Sequence, residues 1–143
     1  MTPEGETVRR RQRVAVYGIC REDGHVLLTR AAASLTVAGR WFLPGGGIDH
    51  GEDPVTALRR EFAEETGLEV LVGPLLGVLS DLTDLPDGTS LHTVRLVYRI
   101  ENSTGDLADE IGGSTDAARW VPLAEVSTYP LMPYVVRALH DFG

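Results

Sequence analysis

The segment Gly46–Leu68 reads GGIDHGEDPVTALRREFAEETGL, and it decides the interpretation of this chain. Its second half carries three acidic side chains close together, namely Glu61, Glu64 and Glu65. Like charges at this spacing repel each other, so the arrangement needs compensation. We therefore expect a cation beside these side chains, and a divalent metal ion is the leading candidate.

The same segment contains the start and stop signals of an α-helix. Asp53 suits the N-cap, and Pro54 fits the first helical turn, where a missing N–H costs nothing. Gly67 suits the left-handed residue that follows the last turn. The sequence therefore predicts a helix that ends at about Thr66.

The spacing of apolar residues predicts which face of this helix is buried. Val55, Leu58 and Phe62 form one stripe at helical spacing. With about 100° between successive residues, the three glutamates project within an arc of roughly 100°. Glu65 falls at the edge of the apolar stripe, so its carboxylate is expected to be partly desolvated and to need a partner.

Carboxylate oxygens are hard ligands, which favour Mg²⁺ or Mn²⁺ over zinc or copper. The glycine run Gly45–Gly47 lets the backbone approach a ligand closely, so a carbonyl there is a further candidate metal ligand. Its N–H groups are candidates for a phosphate oxygen. Glu52 and Arg60 flank the cluster, and an ion pair between them would hold the ligands in place.

Length, composition and charge limit the class of protein. The chain has 143 residues, which suits one domain, with residues 1–13 expected as a flexible polar lead-in. The net charge of −8 disfavours long nucleic acids and anionic membranes, in spite of the basic run Arg9–Arg13. One cysteine, Cys20, excludes an internal disulfide framework, and we expect a cytoplasmic protein.

The rest of the chain predicts strands on both sides of the central helix. Strands are expected at Val14–Ile19, His25–Thr29, Trp41–Leu43, His92–Ile100 and Trp120–Val121, an acidic loop at Asn102–Arg119 and a closing helix at Pro130–Asp141. This order predicts an α/β (α+β) fold with a mixed β-sheet packed between helices.

The segment resembles the signature of the Nudix hydrolase family (MutT-like proteins) throughout its length. That signature is a glycine, a glutamate after five residues, Arg-Glu after seven more, then Glu-Glu and a glycine followed by a bulky apolar residue. The matching residues here are Gly46, Glu52, Arg60, Glu61, Phe62, Glu64, Glu65, Gly67 and Leu68. Phe62 departs slightly from the aliphatic residue of many members.

The resemblance implies a Nudix-type α/β/α sandwich that hydrolyses the diphosphate linkage of a nucleoside diphosphate joined to another group, with Mg²⁺ and with Mn²⁺ as a substitute. It implies that Glu61, Glu64 and Glu65 are metal ligands, joined by the Gly45 carbonyl. Glu61 is also a candidate for orienting the attacking water, but the general base differs between family members. The late acidic loop supplies further candidates for the base: Glu110 first, Asp116 second, then Asp106 and Asp109.

The resemblance implies a small nucleotide as the partner; family members often form homodimers as well, but nothing in the sequence fixes an interface. Arg30 and Arg40 precede the glycine run and are candidates for phosphate contacts. Other readings stay open: a solvated acidic helix face, an inactive Nudix fold, or a sensor that binds a nucleotide without hydrolysing it. An isoprenoid diphosphate isomerase would need a catalytic cysteine, and Cys20 lies far from the glutamates in sequence.

Overall fold

The computed structural model describes residues 8–35 and 37–143. In those ranges the elements, in chain order, are β1 (Arg10–Ile19), β2 (Arg21–Glu22), β3 (His25–Ala31), β4 (Trp41–Phe42), β5 (Gly45–Gly47), α1 (Pro54–Thr66), β6 (Glu69–Asp84), β7 (Ser90–Thr104), β8 (Thr115–Pro122), a 3₁₀ helix (Leu123–Thr128) and α2 (Pro133–Phe142). One helix lies in the middle of the chain and one at its end, as the sequence predicts.

The strands form two sheets. The first has the order β5-β1-β7-β6, in which β1 and β7 run parallel and the other neighbours run antiparallel. In the second, β3 pairs with β2, β4 and β8. The expected mixed sheet is therefore present, but β3 belongs to a separate sheet because both edges of β1 are taken by β5 and β7.

Alternation along β1 divides the core into two layers. Ala15, Tyr17 and Ile19 pack with residues of α2, whereas Val16 packs with Leu58 and Phe62 of α1. Successive strand residues point to opposite faces, so each helix covers one face. The two helices therefore enclose the strands from both sides, which confirms the α/β/α arrangement.

Helix α1 has the caps that the sequence predicts. The Asp53 side chain accepts the Val55 N–H, and Gly67 adopts φ 75° while its N–H bonds to the Ala63 carbonyl. The predicted buried stripe was wrong at one position, because Val55 is exposed. Ala57 is buried in its place, since the helix rests on the sheet through the side that carries Ala57, Leu58 and Phe62.

Two predicted boundaries need correction. Strand β1 begins at Arg10, because residues 10–13 pair in parallel with residues 90–93 of β7. The expected lead-in therefore ends before residue 13. Residues 1–7 of this lead-in lie outside the described part of the chain. The acidic loop is shorter than predicted, since β7 continues to Thr104 and β8 begins at Thr115. No helix in the described ranges is both long and apolar enough to cross a lipid bilayer.

Candidate active site

The glycine strand β5 lies against helix α1 and leaves no room for side chains there. A Cβ on Gly46 would stand 2.8 Å from Oε1 of Glu61. Gly45 has φ 149°, and a Cβ there would collide with the carbonyl oxygen of Val16. The absence of side chains therefore lets the backbone of β5 approach the carboxylates of α1 directly.

Glu65 is the most deeply buried carboxylate of the site, with 3% of its surface exposed. Its Oε1 accepts a hydrogen bond from the Gly45 N–H at 2.8 Å. Burial raises the pKa of Glu65 well above its ordinary value of 4.5, and this one hydrogen bond opposes the rise only in part. The negative charges of Glu61, Glu110 and Glu64 raise that pKa further.

Glu61 shares this desolvated environment, while Glu64 lies toward solvent. Burial raises the pKa of Glu61 to about 7, against the opposing effect of the Arg60 guanidinium. The side chain of Glu61 is 13% exposed, compared with 49% for Glu64. Of the two inner carboxylates, Glu61 shares the charge of Arg60 at 3.0 Å, whereas Glu65 has no cationic partner among the described residues, so two ionised groups at close range are compensated only in part.

Arg60 connects the loop before α1 to the glutamates. Its Nε and Nη2 donate to the two oxygens of Glu52 at 2.8 and 2.9 Å, the bidentate pair expected from the sequence. This pair lowers the pKa of Glu52 to about 2. Nη1 donates to Glu61 at 3.0 Å and approaches Glu64 at 3.5 Å, while Nη2 reaches the Gly47 carbonyl at 3.3 Å.

The three glutamates do not yet converge on one point. Within residues 8–35 and 37–143, no three His, Cys, Asp or Glu side chains stand close enough to hold a metal ion as they are. Arg60 bonds to Glu61 and Glu64, and Glu65 points to the Gly45 N–H. The donors nevertheless fit a hard divalent cation, because two desolvated carboxylates have no full cationic partner and offer only oxygen.

Hydrogen bonds hold the late acidic loop near Glu61 and Glu65. Glu110 accepts bonds from the N–H and hydroxyl of Thr115 at 3.0 and 2.9 Å, and its charge raises the pKa of both Glu61 and Glu65. Asp109 instead accepts from the Ala118 N–H at 2.9 Å. Of the acidic candidates in this loop, Glu110 is the one whose charge acts on both inner glutamates.

The two arginines predicted to contact phosphate have protein partners in this structure. Arg30 donates from Nε to Asp116 at 2.7 Å, so that this candidate base is held in an ion pair, and its guanidinium lies 5.6 Å from the Trp41 ring centre. Arg40 lines a groove beside α2 and approaches the Leu131 carbonyl at 3.4 Å. A cavity lies beside Glu65, and neither arginine lines it.

A cavity of about 200 Å³ opens between Glu65 and strand β1. Tyr17 and Phe42 line it together with Arg13, a residue expected to belong to the flexible lead-in. The sequence signal for this position of Arg13 is the alternation of strand residues. Arg13 lies two residues before Ala15 and four before Tyr17, so an earlier start of β1 puts all three on one face.

The similarity to known proteins covers almost the whole chain and is not limited to the segment that carries the glutamates. The family model of the NUDIX domain matches residues 9–141. A MutT-like protein of Streptomyces ambofaciens is 35% identical over 127 residues, which cover 88% of this chain and 74% of that protein. Nucleoside triphosphatase NudI of Klebsiella pneumoniae (strain 342) is 34% identical over 128 residues, covering 85% and 89%.

The same likeness appears in three dimensions. The crystal structure of MutT NUDIX hydrolase from Burkholderia pseudomallei aligns with a TM-score of 0.79 and 28% sequence identity, covering 93% of this chain and 99% of that one. The match therefore includes the sheets and helices that hold the glutamates in place, as well as the segment Gly46–Leu68.

Proposed function

This chain belongs to the Nudix hydrolase family, and we propose that it cleaves the diphosphate linkage of a small nucleotide with Mg²⁺ as its cofactor and Mn²⁺ as a substitute. Water adds to one phosphorus and the P–O bond of the anhydride breaks, giving a nucleoside monophosphate and a phosphorylated remainder, or pyrophosphate from a triphosphate. Members of the family generally need a divalent metal ion. The preference for magnesium is supported by the all-oxygen donor set.

We assign the metal-binding role to Glu61, Glu64 and Glu65, with the Gly45 carbonyl as an additional ligand. A divalent ion bound there supplies charge screening for the diphosphate and a water of lowered pKa. Arg60 and Glu52 hold the loop and helix together, and Arg60 also donates to Glu61, whose oxygens would hold the cation. Gly46 and Gly67 support the site through the close approach of β5 and the end of α1.

Glu110 is our candidate for the general base. Its Oε1 is fixed by two hydrogen bonds from Thr115, and its negative charge raises the pKa of both inner glutamates. A base must come within hydrogen-bond reach of the attacking water, directly or through one further water. Glu61 is the alternative, because its carboxylate lies against strand β5 among the residues assigned to the metal.

The observation that carries this proposal is the pair of desolvated carboxylates against the side-chain-free strand β5. We expect the wild-type protein, incubated with Mg²⁺ and a panel of nucleotides, to release nucleoside monophosphate together with phosphate or pyrophosphate. Glu65→Gln should abolish turnover. Glu69→Gln, the same change at an exposed position four residues later, is the matched control and should leave turnover unchanged.

The outcomes of this assay separate the hydrolase from the other readings. Turnover by wild type that Glu65→Gln removes supports the assignment. Nucleotide binding without turnover of any substrate would instead favour the non-hydrolytic sensor.

A cytoplasmic location belongs to the proposal as well, and it is supported by the nucleotide substrate, since nucleoside triphosphates are held inside cells.

A further inference from the structure

Arg13 lies on the wall of the cavity beside Glu65. It is paired in register with Thr93 of β7, and its side chain is half-buried on the face of β1 that also carries Ala15 and Tyr17. Its Nη2 lies 3.2 Å from the point where a Cβ on Gly47 would stand. The cavity wall therefore includes a guanidinium group close to the glycine strand.

Within the described ranges, Arg13 pairs with no Asp or Glu side chain. The other half-buried or buried arginines among the described residues are paired: Arg30 with Asp116, Arg60 with Glu52 and Arg95 with Asp81. Glu65 is the one acidic side chain among the described residues that line the cavity, and it accepts from the Gly45 N–H. Arg13 therefore has donor capacity that the acidic side chains of residues 8–35 and 37–143 do not use.

The cavity between Arg13 and Glu65 suits a flat ring. Half-buried Phe42 supplies aromatic surface and Leu35 supplies aliphatic surface, while Tyr17, which is 3% exposed, adds little; the volume of about 200 Å³ accommodates one base rather than a whole nucleotide. Aromatic walls favour stacking against a planar ring. A substrate whose phosphates lie at the glutamate end would place its base in this cavity, with one edge toward Arg13.

The hydrogen-bonding character of Arg13 then selects the base. A guanidinium group carries only donors, so the edge it meets must offer acceptors. Guanine, hypoxanthine, uracil and thymine present a carbonyl oxygen at the position where adenine and cytosine present an amino donor. Of the two hydroxyl groups that also line the cavity, that of Ser114 can both donate and accept, whereas that of Thr115 donates to Glu110 and offers the cavity only an acceptor.

We propose that Arg13 is a specificity-determining residue that binds the carbonyl edge of the substrate base, so that the enzyme prefers nucleotides of keto bases to those of amino bases. This inference rests on the proposed function, because it takes the phosphates to lie at Glu65. A phosphate contact for Arg13 is less favoured, since the surrounding wall is aromatic and aliphatic and supplies no second cation.

Two pairs of substrates test the proposal with minimal chemical change. ITP and ATP differ at position 6 of the purine, and UTP and CTP differ at position 4 of the pyrimidine. We expect wild-type kcat/KM to favour ITP over ATP and UTP over CTP. Arg13→Gln should lower kcat/KM for ITP and UTP by about 10- to 100-fold, while ATP and CTP change by less than about threefold.

Arg10→Gln is the matched control, because Arg10 lies on the same strand, is exposed and does not line the cavity. Its kcat/KM values should equal those of wild type. Arg13→Lys keeps the charge but loses the planar fork and should retain only part of the preference. A loss of equal size on all four substrates would identify a phosphate contact and overturn the proposal, and so would Arg13→Gln activities that match wild type.

A binding measurement separates failure of this inference from failure of the proposed function. In EDTA, IMP should raise the melting temperature of the wild-type protein more than AMP does, and Arg13→Gln should remove that difference. Preference for IMP without turnover of any nucleotide would overturn the hydrolase but uphold the role of Arg13. Turnover with equal stabilisation by IMP and AMP would overturn the role of Arg13 alone.

Discussion

Replacing Glu65 by glutamine should make the metal-free protein more stable. The carboxylate is 3% exposed, has one hydrogen-bond donor at 2.8 Å and faces the negative charges of Glu61, Glu110 and Glu64. Glutamine keeps the shape and the carbonyl oxygen that accepts the Gly45 N–H, but it removes the charge. We therefore expect the substitution to relieve an electrostatic cost that a bound cation would otherwise relieve.

The size of the gain follows from the burial. At about pH 8 the wild-type folded state must either keep a desolvated charge on Glu65 or bind a proton that the unfolded chain does not bind. Removing a poorly compensated buried charge contributes about 1–3 kcal/mol to the free energy of unfolding. For a chain of 143 residues, this corresponds to a rise in Tm of about 3–10 °C.

Thermal unfolding in EDTA and in millimolar Mg²⁺ measures both parts of the prediction. In EDTA, Glu65→Gln should melt above wild type, whereas Glu64→Gln should stay within about 0.5 kcal/mol because Glu64 is 49% exposed. Magnesium should raise the Tm of wild type and leave Glu65→Gln almost unchanged. A Glu65→Gln protein that is less stable in EDTA, or that keeps the full response to magnesium, would refute the reasoning.

Three further predictions follow from the same geometry. Burial raises the pKa of Glu61 from 4.5 to about 7, so the folded state binds that proton more tightly than the unfolded chain does. The stability of the metal-free protein should therefore fall as pH rises from about 4.5 to 7. Thermal melts of Glu61→Gln should show a smaller decline over the same range. Gly18→Ala should cost about 1–3 kcal/mol in denaturant unfolding, because the new Cβ would stand 2.7 Å from the Phe62 ring. Glu52→Gln should lower kcat/KM or metal affinity by about 10- to 100-fold in steady-state assays, because Arg60 loses its bidentate partner.

Each of these has an outcome that would contradict it. Metal-free stability that stays level or rises across the stated pH range would remove burial as the main cause of the Glu61 shift. An unchanged denaturation midpoint for Gly18→Ala would mean that α1 does not pack against β1 as described. For the Glu52 prediction, Asp49→Asn is the control, since Asp49 is exposed and lies 3.5 Å from Arg60. Equal losses of kcat/KM or metal affinity in both variants would contradict the role of Glu52 as the bidentate partner of Arg60.

Helix α1 could be predicted almost to the residue because its signals are local. The Asp53 cap, Pro54 in the first turn and Gly67 with positive φ act within a few residues of one another, so no distant part of the chain needs to be known. The pairing of Glu52 with Arg60 could be predicted for a similar reason, since eight residues separate them. Val55 was misplaced because helical spacing defines a stripe but not which edge of it meets the sheet.

The sequence by itself determined the family, the central helix and the set of carboxylates, because these depend on residue type and short spacing. Only the tertiary structure decided which charged groups share a site. It paired Arg30 with Asp116 across 86 residues, placed Arg40 beside α2, and brought Arg13 of β1 to the cavity that also contains Glu65. Contacts of that kind depend on strand pairing and register, which bring distant segments together and which no local pattern in the chain specifies.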